Sequence, residues 1–118
     1  EIDTAAEVTA WVNEQNKATF GYLEQIPFRQ AVKDRITELI NYPRYSAPER
    51  AGDYYFFSKN DGLQNQAVIY YQKGLEGKPE VFIDPNTLSK DGTTAVSLVG
   101  FSKDKKYVTI SRSDAGSD

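Results

Sequence analysis

The sequence contains no cysteine, no histidine and no methionine among its 118 residues. Without cysteine there is no disulfide, no thiol nucleophile and no thiolate metal site. Without histidine the chain lacks the side chain that most often serves as a general base and as a metal ligand. Because a natural chain normally begins with methionine unless it is processed, and because this one ends on a turn-like stretch, we expect it to belong to a longer protein.

Charge of one sign and long apolar runs are also scarce. The net charge is −3, and basic residues are scattered among acidic ones without forming a stripe, so we predict no nucleic-acid partner. No apolar run approaches the ~20 residues that span a bilayer, so we predict no membrane partner. The aromatic share of 13% is high and is not typical of a disordered chain. The length allows one domain or a part of one.

The first third of the chain has the apolar spacing of two helices. Thr4 and Glu7 have the spacing of a capping box, and apolar residues from Val8 to Ile26 recur mostly at helical intervals. Pro27 suits the first position of a second helix, where no backbone N–H is needed. Pro43 disfavours a helical conformation at Tyr42, so it predicts the end of that helix. The pattern predicts two amphipathic helices of about 20 and about 14 residues.

After Pro43 the sequence changes to short strands separated by turn signals. The predicted strands cover residues 54–57, 67–71, 81–83, 95–101 and 106–111. The turn signals between them are Asn60-Asp61-Gly62, the stretch GLEGK (residues 74–78), Asp84-Pro85-Asn86 and the stretch SKDK (residues 102–105). Short strands at this turn-marked spacing predict either a sandwich or a propeller.

An internal repeat favours the propeller. The stretch DYYFFSKND (residues 53–61) aligns with KYVTISRSD (residues 106–114) at an offset of 53 residues, close to the period of four-stranded propeller blades. A strand precedes the matched segment in the second copy, and its counterpart in the first falls near residues 45–50, where the strand signal is weak. The sequence therefore predicts an α+β chain: a helical segment (residues 1–43), then antiparallel strands (residues 44–118) forming about one and a half β-propeller blades.

The residues themselves provide no credible active site. A Ser-His-Asp triad lacks its base here. The serines of the C-terminal stretch SRSDAGSD are not in a G-x-S-x-G elbow, and we interpret them as strand-end and turn residues. We name no catalytic residue, no cofactor-binding residue and no metal ligand, and we expect no cofactor.

Two groups of carboxylates resemble functional sites but have simpler structural interpretations. Asp34 and Glu38 lie one helical turn apart, and a pair of carboxylates can catalyse glycoside hydrolysis. Lys33 and Arg35 beside them favour a solvated helix face instead. The stretch from Asp84 to Gly92 hints at a calcium loop, yet its spacing fails the D-x-[DN]-x-[DN]-G pattern, so a turn is favoured.

Basic and aromatic clusters also have structural interpretations. Lys103, Lys105 and Lys106 are partly balanced by Asp104, and a hairpin tip explains them. The aromatic residues 54–57, with Tyr70 and Tyr71, could form a stacking platform for sugars or peptides. Filling the space between blades is the favoured role, because large apolar side chains stabilise most when buried.

Several longer stretches resemble the N-terminal part of the prolyl oligopeptidase family of serine peptidases. The most specific are AWVNEQN (residues 10–16), NYPRY (residues 41–45) and NDGLQNQAVIY (residues 60–70). VFIDPNTLSKDGT (residues 81–93) and DAGSD (residues 114–118) add to them. The resemblance covers nearly the whole chain from about Ala10 onward.

The resemblance implies a parent protein with an α/β-hydrolase domain capped by a seven-bladed propeller. That parent would cleave short peptides after proline through a Ser, a His, an Asp and an oxyanion hole, all in a C-terminal part that this chain lacks. The chain would be non-catalytic: residues 1–43 would pack on the hydrolase domain, and residues 44–118 would contribute to the propeller gate. The implied partners are the rest of the polypeptide and, for the parent, proline-containing peptides.

A rival hypothesis from another class is a stand-alone β-rich module that binds peptides or acts as an adaptor through its aromatic strands. In isolation we expect the chain to self-associate, since its helices would expose an apolar face and its half blade an unpaired strand edge. The sequence leaves the compartment open between cytoplasm and periplasm.

Overall fold

The computed structural model describes residues 5–114, which divide into two compact units. The first unit ends at Ile40 and the second begins at Asn41. The helices are α1 (Ala6–Leu23) and α2 (Arg29–Ile40). The strands are β1 (Arg44–Tyr45), β2 (Glu49–Ala51), β3 (Tyr54–Asn60), β4 (Val68–Lys73), β5 (Glu80–Ile83), β6 (Ala95–Phe101) and β7 (Val108–Ser113), with a short 3₁₀ helix at Pro85–Thr87 between β5 and β6.

Both predicted helices form, with 18 and 12 residues. The predicted capping residue Thr4 lies outside the described residues, and the position before α1 is Ala5, which makes no side-chain cap hydrogen bond. Pro27 does not start α2 as predicted. It follows Ile26, whose carbonyl accepts a hydrogen bond from the Arg29 amide (3.1 Å), so Pro27 occupies the second position of a tight turn, where its fixed φ is favoured.

The helices carry large apolar side chains on their surface. No residue of α1 or α2 is buried, and Trp11 is 64% exposed. The other exposed apolar residues of the two helices include Val8, Val12, Phe20, Val32, Ile36, Leu39 and Ile40. Within residues 5–114, neither helix has the length and apolar character needed to cross a membrane.

The first sheet, sheet A, is a five-stranded antiparallel sheet in which one edge is built from two short strands. Its order is β1-β3-β4-β5, and β2 also pairs with β3 beside β1. Tyr45 lies opposite Lys59 and Glu49 opposite Phe56, so the edge contains one residue more than β3 over the same stretch. Pro48 lies in this bulge, where its missing N–H costs no ladder hydrogen bond. The weak strand expected near residues 45–50 is therefore present, but interrupted.

The second sheet, sheet B, is the hairpin of β6 and β7, and it repeats the start of sheet A. Strand β6 has the predicted bounds, and β7 corresponds to β3 at the offset of 53 residues. The β6–β7 register also shifts by one residue between Leu98 and Gly100, opposite Ile110 and Thr109. At the repeat offset this is the place in β7 that corresponds to the bulge opposite β3. The common bulge and the common strand order support the repeat as structural, although the partners on β6 are displaced by two residues from those expected at the repeat offset, since Arg112 pairs with Val96 and not with Leu98.

Other strand bounds differ modestly from the predicted ones. Strands β3 and β4 extend beyond the predicted ends to Asn60 and Lys73, and β7 begins two residues later than predicted, at Val108. The Ser102 amide donates to the Tyr107 carbonyl (3.0 Å), which keeps residues 103–106 in the hairpin loop. Cross-strand bonding therefore decides these ends, because the local signal of a polar strand end resembles that of a turn.

Polar networks fix the loops at one end of the sheets. Asn60 is buried at the end of β3; its amide donates to the Gln64 carbonyl (2.8 Å), and its oxygen accepts from the Gly62 amide (2.8 Å). Gly62 has a φ of +130°, and a Cβ there would collide with Asn41. The glycine of the predicted Asn-Asp-Gly turn is therefore required by both backbone conformation and space.

Thr94, which precedes β6, is buried and links the start of β6 to the residue that follows β7. Its hydroxyl donates to the Asp114 carboxylate (2.7 Å), which also accepts from Arg112 (3.0 Å). The hydrogen bond from Thr94 and then the bond from Arg112 lower the pKa of Asp114 below its ordinary value of 3.8. A folded-state pKa that is depressed contributes stability above the ordinary value, and this contribution is lost as the pH falls through the folded value.

We expect Thr94→Val to lower the urea midpoint of unfolding at pH 7, since valine keeps the shape but removes the hydroxyl that bonds the Asp114 carboxylate. The deficit should shrink when the pH falls below 3.8, because protonated Asp114 loses its charge-assisted bonds in the parent chain as well. Thr109→Val makes the same chemical change at an exposed position of the same hairpin and should have little effect. A deficit that does not change with pH would contradict the assigned role of Asp114.

Candidate functional site

Two serines of the C-terminal stretch lie on a strand, and the sequence has no histidine that could act as their general base. Ser111 and Ser113 belong to β7, whose burial pattern is mostly exposed, and Ser117 lies outside the described residues. The sequence has no histidine, so no imidazole can accept a hydroxyl proton from these serines. That the chain holds no catalytic residue stays a prediction.

The carboxylates considered for acid–base or metal chemistry are each engaged in local structure. Asp34 accepts a hydrogen bond from Gln30 (2.6 Å), and Glu38 pairs with Arg35 (2.7 Å). Asp84 accepts from the Asn86 amide (3.0 Å), and Asp91 accepts from the Thr93 amide (3.2 Å). Over residues 5–114 no three His, Cys, Asp or Glu residues are grouped so as to hold a metal ion.

The basic cluster occupies the tip of the β6–β7 hairpin, as predicted. The carboxylate of Asp104 accepts from the Ser102 hydroxyl (2.6 Å) and the Lys106 amide (3.2 Å), and the first of these bonds contributes most to lowering the pKa of Asp104. Lys105 adopts a φ of +59°, and its ammonium lies 5.9 Å from the centre of the Phe101 ring. The cluster is thus a turn closed by Asp104, with one lysine folded back over the hairpin.

The aromatic residues divide between the two faces of sheet A. On one face, which we call the inner face, the Phe56 ring lies 4.9 Å from Phe101 of sheet B and 5.3 Å from Phe82. Tyr71 joins the same cluster at 6.1 Å from Phe56. On the inner face these aromatic side chains therefore fill the space between the two sheets, as predicted.

The opposite, outer face of sheet A carries a second aromatic row. Phe57 stacks on Tyr70 (5.7 Å between ring centres) and lies 6.4 Å from Tyr45. Tyr45 is 63% exposed and Leu75 is 72% exposed. A groove of about 410 Å³ runs along this face, lined in part by Tyr45, Pro48, Tyr55, Phe57, Leu75 and Pro79. The outer face thus has the side chains of a packing surface but remains open to solvent in this chain.

A cavity of about 300 Å³ lies between the inner face of sheet A and sheet B. Phe56, Ile69, Val96 and Leu98 form much of its apolar wall, while Ser58 and Glu49 are polar lining residues. These residues come from four strands spread over 50 positions, so no local pattern in the sequence identifies them together.

The chain matches one protein-family model over its whole length. That model describes the N-terminal β-propeller domain of prolyl oligopeptidase, and the match covers residues 1–118. Among curated proteins, the chain is 48% identical to a prolyl endopeptidase of Elizabethkingia meningoseptica and 34% identical to one of Dictyostelium discoideum. Each alignment covers 100% of this chain but 17% of the relative, so the chain spans about a sixth of their length.

Solved structures agree with the sequence matches. A structure described as one of two prolyl endopeptidases analysed for inter-domain dynamics has 31% sequence identity and a TM-score of 0.84 over 97% of this chain. Prolyl oligopeptidase B from Galerina marginata, bound to a 35mer hydrolysis and macrocyclization substrate, has 29% identity and a TM-score of 0.76 over 94% of this chain. In both cases the match covers 17% of the solved chain.

Proposed function

Since this chain belongs to the prolyl oligopeptidase family and corresponds to its N-terminal β-propeller domain, we propose that it works as a non-catalytic part of a peptidase that cleaves peptides after proline. In this proposal sheet A is the first complete blade and sheet B is the opening half of the second. Residues 1–43 form a helical segment that packs on a hydrolase domain, and residues 44–118 belong to the propeller.

The observation that carries the proposal is the unequal use of the two faces of sheet A. The inner face packs Phe56 against Phe101 of sheet B, while the outer face exposes an aromatic row with Tyr45 and Leu75. In a ring of blades every sheet is covered on both faces, and burying large apolar side chains is favourable. An outer face built for packing is therefore expected if a further blade of the same polypeptide covers it.

The helical segment supports the proposed packing in the same way. Trp11 and Phe20 are at least half exposed, and a helix with such side chains gains stability by burying them against another layer. The proposed partners are thus the remaining blades and the hydrolase domain, with proline-containing peptides as ligands of the whole protein. Self-association of the chain on its own stays a prediction.

The chain by itself should have no peptidase activity. The family's acyl-transfer chemistry requires a general base, and the chain contains no histidine to supply one. We expect no colour release above buffer when the chain alone is given a chromogenic peptide whose last residues are Gly-Pro. The product of the complete gene should cleave the same peptide after proline and lose this activity after treatment with a serine-directed fluorophosphonate.

Substrate controls separate the proposal from the rival peptide-binding module. A matched peptide with alanine in place of proline should be cleaved far more slowly by the complete gene product. Cleavage by the chain alone would overturn the non-catalytic role. A complete gene product that binds the proline peptide without cleaving it would instead favour the module.

A further inference from the structure

The cavity between sheets A and B is closed on two sides by apolar side chains. Phe56 and Ile69 belong to the inner face of sheet A, and Val96 and Leu98 belong to β6. Ile69 is 3% exposed, and Ile69 lies opposite Ser58 in the β3–β4 register, so both side chains are on the same face. The volume of about 300 Å³ is at the lower end of the range for small-molecule sites.

The polar residues that line the cavity include one formal negative charge, on the exposed side chain of Glu49. Glu49 lies opposite Phe56 in the β2–β3 register, which places its side chain on the inner face. Within residues 5–114, no group forms a hydrogen bond or an ion pair with the Glu49 carboxylate. No lysine or arginine is among the residues that line the cavity. An unpaired carboxylate next to an apolar wall is complementary to a cation that carries a short aliphatic group.

We propose that this cavity binds a primary alkylammonium group. The ammonium would donate hydrogen bonds to the Glu49 carboxylate, and a stem of a few carbons would contact Phe56, Ile69 and Leu98. A carboxylate or phosphate ligand is disfavoured, because it would meet the charge of Glu49 without a basic side chain to offset it. This site is separate from the proposed peptidase activity, since it needs only the two sheets of this chain.

The binding is tested with n-butylammonium and the isotopically labelled 118-residue chain. Its addition should shift the backbone amide resonances of Ser58, Ile69 and Leu98 in a saturable way, with a dissociation constant on the order of millimolar because so small a ligand makes few contacts. Butanol, which has the same stem without the charge, should bind more weakly. Butyrate, which reverses the charge, should give no saturable shift.

Two matched variants test whether the ammonium group contacts the Glu49 carboxylate. Glu49→Gln keeps the shape of the side chain and should weaken butylammonium binding about fivefold, as expected for an exposed ion pair. Glu76→Gln removes a carboxylate from the exposed β4–β5 loop and should leave binding unchanged. Equal binding to the Glu49→Gln variant and the parent chain would overturn the proposal. A linear, non-saturating shift, or an equal response to butyrate, would overturn it as well.

Discussion

Phe56→Ala is expected to lower the free energy of unfolding by about 3 kcal/mol, the low end of the range for removing a phenylalanine from a core, because Phe56 is half-buried. The Phe56 ring contacts Phe101 of sheet B, Phe82 of β5 and Tyr71 of β4. Its removal therefore weakens the packing of sheet B on sheet A as well as the packing within sheet A. Urea denaturation monitored by circular dichroism measures the loss.

Phe57→Ala is the matched control, because Phe57 is the next residue of β3 and is also half-buried. Its ring contacts Tyr45 and Tyr70 on the outer face, within sheet A. We expect a loss of about 1 kcal/mol, since its partner Tyr45 is exposed and their contact buries less apolar area. Amide hydrogen exchange should accelerate in β6 and β7 for Phe56→Ala and not for Phe57→Ala. Equal losses from the two variants, or faster exchange in sheet B for both, would contradict the division of the sheet into two faces.

The helices and most strands could be predicted because their signals are local. Strand β6 is a mostly apolar stretch between the polar residues Thr94 and Ser102, so its ends, Ala95 and Phe101, follow from the sequence. Pro48 is the opposite case, since it divides an edge strand into two short pieces, β1 and β2, that are ordered by pairing with β3. Residues on either side of such a proline have little strand signal of their own, and the partners of β1 in β3 are more than ten residues away.

The sequence predicts that the aromatic residues fill space between blades, but it does not show which face of the sheet does so. Alternation along β3 requires Phe56 and Phe57 to lie on opposite faces of the sheet. Which of the two faces meets another layer depends on Phe101, which is 45 residues further along the chain. The cavity also depends on the tertiary arrangement, because Glu49 of β2 and Leu98 of β6 line it together only when the two sheets pack against each other. Local patterns therefore identify the strands, while the surfaces they form require the tertiary arrangement.

The central claim is that the outer face of sheet A is covered by another blade in the complete protein. Tyr45 is the most informative reporter, because it is 63% exposed in this chain and tyrosine reacts readily with hydroxyl radicals. Trypsin cleaves after Arg44 and Arg50, so the peptide of residues 45–50 contains Tyr45 as its single aromatic residue. Oxidation of this peptide thus reports on one position of the outer face.

The reference for this experiment is the peptide of residues 51–59, which also comes from sheet A and contains Phe56. Phe56 contacts sheet B in the chain itself, so its own protection should not depend on further blades. Oxidation rates of both peptides are normalised to the rates in urea, which removes differences in intrinsic reactivity. Mass spectrometry of the tryptic peptides, with fragmentation to locate the oxidised residue, gives the rates for Tyr45 and Phe56.

Hydroxyl-radical footprinting of Tyr45 in this chain and in the product of the complete gene is the most direct test. We expect the oxidation rate of Tyr45 to fall severalfold in the complete product, while that of Phe56 stays low in both. Equal oxidation of Tyr45 in the two proteins would show that no blade covers the outer face, and would overturn the proposed packing of sheet A.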